Sequence, residues 1–415
     1  DVDADIQLLA ASIEGTADAE LTIDEIATLN GVLESDSHAD LALSSDMSVS
    51  LESSSFSGDS NASFHSNQQS AATGENNIGD AISSGSSLNL IAESNTNLAL
   101  EATSVDGDAA LSIAALDGEN AFAISGLDNL DLLSASDQQT SIDVNGVVNA
   151  TANTQEGTAK ADVSIDMVAS DASNISSNQD GEINLNASNT VNIITNTSSD
   201  DLEDQADLRL DSAVSGYRGG VGDSIDISNS GEINLGSNQI VDLVSSAEAG
   251  QASIAAELES IGASLDDSGI LSLDGTGDIT GAGVLQAELI SESLNGNVDL
   301  AGSFKGRGIQ GGEVQSGGLD GSINGNSEVN VNLLGMTISG DSSNISQSTS
   351  VGLDDSILST GFGTDGIRGE SQQLIDSLSS TEFGDANAMH GSKSIGILAN
   401  DETSTVVTSN SDVVA

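Results

Sequence analysis

Cysteine, proline and tryptophan are absent from this chain of 415 residues, and lysine and arginine together number seven against 66 aspartates and glutamates. Without cysteine there is no disulfide framework, no thiolate metal site and no cysteine nucleophile. Without proline every backbone N–H stays available to a hydrogen-bond ladder. The formal charge of −59 leaves too few cations to neutralise a phosphate backbone or to approach anionic lipid, which argues against nucleic-acid partners. Membrane insertion is not expected either, because no apolar run approaches the ~20 residues that cross a bilayer. Divalent cations, calcium above all, are the expected partners. A saline exterior fits, since the screening length falls to about 3 Å at 1 M salt. The first residue is Asp1 and no basic-then-apolar leader is present, which reads as the mature form of a secreted or cell-surface protein of bacterial type.

Aromatic residues are also scarce, at six Phe and one Tyr. What is present is alternation. Apolar residues alternate with Ser, Asp or Asn at Leu41 and Leu43, at Met47, Val49 and Leu51, at Leu88 and Leu90, and at Val163, Ile165 and Met167. That is strand periodicity, with one face buried and one wet. Turn formers such as Asp106-Gly107-Asp108, Asp117-Gly118-Glu119 and Asp180-Gly181-Glu182 punctuate the bursts. Low hydrophobicity and high charge also describe disordered chains, but those are enriched in proline and lack patterned Val, Ile and Leu.

The clearest internal repeat is Gly181-Glu182-Ile183-Asn184-Leu185 against Gly231-Glu232-Ile233-Asn234-Leu235, 50 residues on. This spacing suggests two or more solenoid coils per unit, or equivalent hairpins in a sandwich. Helical spacing is read at 21–33, where Thr22 and Glu25 form a capping box, at 252–265, and more weakly at 372–378. Asn145-Gly146 and Asn324-Gly325 are type I′ hairpin signals. The expected fold is therefore mainly β: an irregular parallel β-solenoid with some hairpins and short helices, or alternatively a multi-domain antiparallel β-sandwich. Four stretches are distinguished: 1–36 with a short helix, the β-repeat region 37–250, a glycine-rich region 251–402, and an extended tail 403–415.

The run Gly181-Glu182-Ile183-Asn184-Leu185-Asn186-Ala187 resembles the coil units of filamentous-haemagglutinin-type bacterial adhesins, whose Gly-x-Ile-x-Leu-x-Ala runs stack as a β-helix. The resemblance covers about 15 residues twice and implies an exported β-helical surface protein. Nothing resembling the secretion domain of those adhesins is present, so their secretion route and receptor binding are not implied.

Catalytic candidates are few. His38, His65 and His390 each sit in a polar, turn-like context and read as exposed histidines. The formal GxGxxG at Gly306-Arg307-Gly308-Ile309-Gln310-Gly311 is followed by a glycine-rich stretch that cannot open the helix a dinucleotide site requires. Calcium takes six to eight oxygen ligands from flexible turns, which makes Asp223, Asp266, Asp267, Asp274 and Asp278 its candidate ligands. No other cofactor and no enzymatic activity are expected. The leading functional expectation is a structural protein that self-assembles into an extracellular filament, matrix fibre or surface layer. Assembly is expected through terminal strands carrying Val2, Ala4 and Ile6 and Val406, Val407, Val413 and Val414. A calcium-dependent adhesin is the alternative, and a polysaccharide-acting β-helix enzyme the third reading.

Overall fold

The computed structural model of the protein describes every residue except 1, 28–32, 75–80, 117–119, 267, 318–320, 339–341, 355–356, 363–365, 383–384, 399–405, 410–412 and 415. One coil shows the plan. A long strand, Gly181–Thr197, is followed by a second, Gln205–Gly219, and a short third, Ser224–Ile227, before Gly231–Ala247 begins the next coil. Equivalent strands stack into three sheets. Sheet I has ten strands, from Val2–Ser12 to Val413–Val414; sheet II has ten, from Ala17–Ala27 to Asp385–Leu398; sheet III has nine, from Leu33–Ser35 to Val406–Ser409. Pairing between successive coils is parallel throughout the described residues. The chain is a parallel β-solenoid.

Gly181 pairs with Gly231 and Ile183 with Ile233, so the 50-residue repeat is a single parallel coil rather than two or more coils or a pair of hairpins. Side-chain hydrogen bonds between stacked coils span 43, 44, 46 or 50 residues in different places, so coil length varies. The difference is taken up at corners and, in one coil, between the sheet II strands Ala109–Ala114 and Phe122–Asp128, while pairing along the sheet I strands Gly181–Thr197, Gly231–Ala247 and Gly277–Ser293 runs without a register shift. A one-residue slip would turn every inward Ile, Leu and Val outward, which is why in-strand register is held. Ile183, Leu185, Val191 and Ile193 are buried, while Glu182, Asn186 and Asn192 between them are exposed.

No described residue is helical, and each apparent helix has a different explanation. Residues 17–27 form a strand paired in register with Ser60–Thr73, so the Thr22–Glu25 capping box is overruled by a parallel neighbour; residues 28–32 lie outside the described set. Gln251–Leu265 is also a strand. Its inward positions are even-numbered through Leu258 and odd-numbered at Ile261, Ala263 and Leu265, because Ser260 to Ala263 are all buried at a bend. That change of parity places Ile254, Leu258, Ile261 and Leu265 at helix-like intervals on an extended chain. Residues 372–378 lie within the strand Gly366–Thr381, with Leu374 and Leu378 facing outward.

The hairpin signals are also inside strands. Asn145 and Gly146 lie mid-way along the 19-residue strand Gln138–Glu156. The Asn145 amide donates to Asn95 Oδ1 of the adjacent coil at 3.1 Å. Gly146 faces inward, where a Cβ would come within 2.7 Å of Met167 Sδ. Close packing, not a turn, requires glycine there. Asn324 and Gly325 lie within Ser322–Thr337, with Gly325 paired to Gly281.

Glycine serves a different purpose at the corner between sheets I and II. Gly15, Gly58, Gly107 and Gly157 all have positive φ, at 99°, 121°, 142° and 120°. Inward hydroxyls satisfy their carbonyls: Ser55 donates to Gly15 O at 2.9 Å, Ser104 to Gly58 O at 2.9 Å, Thr154 to Gly107 O at 2.7 Å and Thr197 to Gly157 O at 2.9 Å. A buried carbonyl left without a donor costs about 1–3 kcal/mol, so this hydroxyl column stabilises a corner repeated in successive coils. A Cβ at Gly107 would lie 2.6 Å from the Gly58 carbonyl. Gly107→Ala is therefore expected to destabilise by on the order of 1–3 kcal/mol, read as a lowered midpoint in thermal unfolding. Asn97→Ala, on an exposed outward position, is the control and should stay within about 0.5 kcal/mol of wild type.

Candidate functional site

Three surfaces concentrate chemistry: the two ends of the solenoid, the acidic corners, and one group of charges on sheet II. At the N-terminal end Val2–Ser12, Ala17–Ala27 and Leu33–Ser35 are the outermost strands of sheets I, II and III. At the C-terminal end Val413–Val414, Asp385–Leu398 and Val406–Ser409 take those places, so Val406, Val407, Val413 and Val414 belong to edge strands. The polarity of the first edge follows from its ladder. Ser57 N–H donates to Ile13 O, and Gly15 N–H donates to Ser57 O. In a parallel pair both backbone groups of a residue face the same neighbour. With register unbroken from Val2 to Ser12, odd-numbered residues face the strand Ala39–Ser57. The N–H and C=O groups of Ala4, Ile6 and Ala10 therefore point away from it, while their side chains pack on the core.

The aspartates expected to bind calcium are distributed over stacked turns. Asp223 Oδ2 accepts from Gly220 N–H at 2.7 Å, and Asp266 Oδ1 accepts from Ser268 N–H at 2.8 Å. A hydrogen bond from Gly222 N–H to Ser268 Oγ at 3.1 Å ties the two turns together. Asp267 lies outside the described residues. Asp274 is exposed beside Asp226, and Asp278 accepts from both Ser322 N–H and Ser322 Oγ, at 3.1 and 2.7 Å. Among the described residues no three carboxylates or histidines converge as a metal ion would require. The carboxylates instead stack: Glu182, Glu232 and Asp278 occupy one column of sheet I at successive rungs, about 4.8 Å apart.

The third group was not legible in the sequence, because its members are 47 and 52 residues apart. Arg218 donates both terminal nitrogens to Asp166, at 2.5 and 2.7 Å, and reaches Asp171 at 3.4 Å. Asp128 pairs with Asp171 in the ladder below and accepts from Gln68 at 2.6 Å. Burial pushes the Asp171 carboxyl up from 3.8 to about 6, against the opposing pull of Arg218. Burial also raises Asp211, Asp223 and Asp226.

His38 Nδ1 lies 2.5 Å from Ser87 Oγ, with Asp40 2.9 Å from Nε2. His65 is half-buried in the strand Ser60–Thr73, and the His390 side chain is outside the described set. The GxGxxG lies within and just past the strand Val298–Gln310, with no helix after it. Its Gly308 continues an inward column with Gly216 and Gly262, where sheets I and II approach closely. A Cβ there would meet Gly236 N, Ala282 N or Asn326 N at 2.4 to 2.7 Å. These glycines serve packing. Comparison with protein families, with curated proteins and with solved structures returns no match in any of the three.

A carboxyl whose folded value is raised binds its proton more tightly when folded. The contribution of Asp171 to stability is thus full below about pH 4 and is lost as pH rises through about 6. Asp211, Asp223 and Asp226 act in the same direction. Calorimetry should give a higher unfolding temperature at about pH 5 than at about pH 7.5, with the difference reduced in Asp171→Asn; an equal or lower temperature at the acid pH would contradict the assignment. Removing the cation leaves two carboxylates facing one another, so Arg218→Met is expected to destabilise by on the order of 1–3 kcal/mol at neutral pH, and by less at about pH 5, read by chemical denaturation at both values.

Proposed function

We propose that this protein is a structural subunit of an extracellular filament, matrix fibre or surface layer, built by stacking solenoids end to end. One observation carries the reading: all three sheets finish in parallel edge strands at both ends of the solenoid. A second copy placed there would add the next coil, with the backbone ladder as the adhesive and the inward Ala4, Ile6 and Ala10 setting register. The resemblance of Gly181-Glu182-Ile183-Asn184-Leu185-Asn186-Ala187 to haemagglutinin-type coil units supports the same class of exported surface protein. High charge sets the condition for assembly. With −59 on each chain, stacking is favoured where salt screens repulsion, and divalent cations enter as counterions between stacked carboxylates such as Glu182, Glu232 and Asp278.

Truncating the first strand is a weak test, because the strand Ala39–Ser57 would become an equivalent edge. Proline on the outward-facing backbone positions is stronger, since it removes donors that no neighbour inside the chain uses. The Ala4→Pro, Ala10→Pro double variant should stay monomeric in sedimentation and negative-stain microscopy under salt in which the wild type forms filaments. Filaments of unchanged length from a folded double variant would refute end-to-end stacking.

A further inference from the structure

The outward face of sheet I is not uniformly polar. Register stacks Ile194, Val244, Ile290, Leu334 and Leu378 into one column over five successive coils. Ile194 is 42% exposed and Leu378 57%, and the three residues between them are half-buried against one another. Lower in the solenoid the same column holds Leu9, Glu52, Glu101 and Thr151, so the unbroken aliphatic run is confined to the C-terminal half. Outward positions elsewhere on this sheet are mostly Ser, Asn, Asp and Glu. Beside the column, Leu294, Met336 and Ile338 are also exposed and surround a shallow depression of about 280 Å³. A contiguous apolar patch on a chain of this charge marks an interaction surface.

The borders of the stripe specify what fits it. Two residues to one side stand the exposed carboxylates of Asp242, Glu288 and Asp376. On the other side lie Glu292 within the sheet and Glu248 and Glu382 just past the strand ends. An occupant must present an apolar face flanked on both edges by cations. A second copy, with seven basic residues in its whole length, offers no such surface, and the stripe has no aromatic ring on which a sugar could stack. We propose that the C-terminal half of sheet I is a docking surface for a cationic amphipathic helix of a partner protein, laid along the solenoid axis. The five rungs span about 19 Å at ~4.8 Å each, and a helix presents an apolar residue every turn of about 5.4 Å, so about four turns cover the column. Lysines or arginines on the flanks of that helix meet the carboxylate columns, as in other helix-in-groove recognition.

This surface is separate from the solenoid ends, so the proposal stands or falls independently of end-to-end stacking. The probe is a synthetic leucine–lysine peptide of about 14 residues, about four helical turns, with its leucines on one face; a scrambled peptide of identical composition is its control. Calorimetric titration is run on the full chain carrying Ala4→Pro and Ala10→Pro. Tighter binding of the patterned peptide is expected, with helix formation by circular dichroism. Ile290→Thr with Leu334→Thr keeps strand-forming residues and should weaken binding about tenfold or more, whereas Ile91→Thr, exposed outside the stripe, should not. Equal affinity for both peptides, or no loss in the double threonine variant, would reduce the effect to bulk charge attraction and overturn the proposal. A change in self-association of the chain alone on the threonine substitutions would assign the stripe to a second copy and overturn it equally.

Discussion

Everything in this molecule depends on one constraint: each coil is hydrogen-bonded, residue on residue, to the coil before and the coil after. Parallel pairing on three faces converts a one-dimensional sequence into columns. Once Gly181 is fixed on Gly231, the column positions of Ile183, Asn184 and Leu185 follow. Side chains then act less as individuals than as members of a stack, whether the stack is aliphatic and inward, hydroxylic at a corner or acidic on the surface. Short core residues suffice, because each inward Ile or Val is covered by its counterparts above and below. That is how the described residues form one long main core with so few aromatic rings, Tyr217 among them, whose buried hydroxyl donates to Ser173 O at 2.8 Å.

The legible part of the fold was the part governed by alternation. Val163, Ile165 and Met167, or Leu88 and Leu90, point inward as the period of two requires. Parallel pairing was also foreshadowed by the paucity of bulky rings and by the absence of proline. What misled were local signals that tertiary pairing overrides. Thr22 with Glu25 is a sound capping box on an isolated peptide, and Asn145-Gly146 a sound hairpin turn, but the first would break a ladder enforced by the one neighbouring coil and the second a ladder enforced by the coils on both sides. The bend in Gln251–Leu265 is more instructive. A change of inward parity at Gly262 mimics a helical period, and only the equivalent bends at Gly216 and Gly308 in neighbouring coils identify it as a kink in a strand. Columns of this kind were not visible because coils differ in length, so stacked residues are not equally spaced in the sequence. The same irregular spacing hid the Arg218, Asp166 and Asp171 group and the outward aliphatic stripe.

Charge is arranged by the same geometry. Outward carboxylates stacked at the rung spacing repel one another along the column, and asparagine and serine interleaved with them relieve part of that repulsion by hydrogen bonding between coils. Asn229 donating to Asp180 at 2.6 Å and Asn61 donating to Asp18 at 2.7 Å are two instances. The Arg218 guanidinium, bonded to two carboxylates on sheet II, sits where three carboxylates of adjacent coils meet beneath partial cover. Stability in such a molecule is a property of its ionic surroundings as much as of its core.

The stacking direction has a mechanical consequence. Hydrogen bonds between coils run along the solenoid axis, so tension applied between the two ends loads the bonds of one outermost coil rather than shearing all coils together. Yielding then proceeds one coil at a time. Each coil that peels away exchanges about 4.8 Å of axial height for on the order of 150 Å of extended chain, and the coil beneath it becomes the new end with its own ladder intact. A fibre made of such units would lengthen under load in discrete steps and could rewind when the load is removed, since every newly exposed edge is a template for the strand that has just left it.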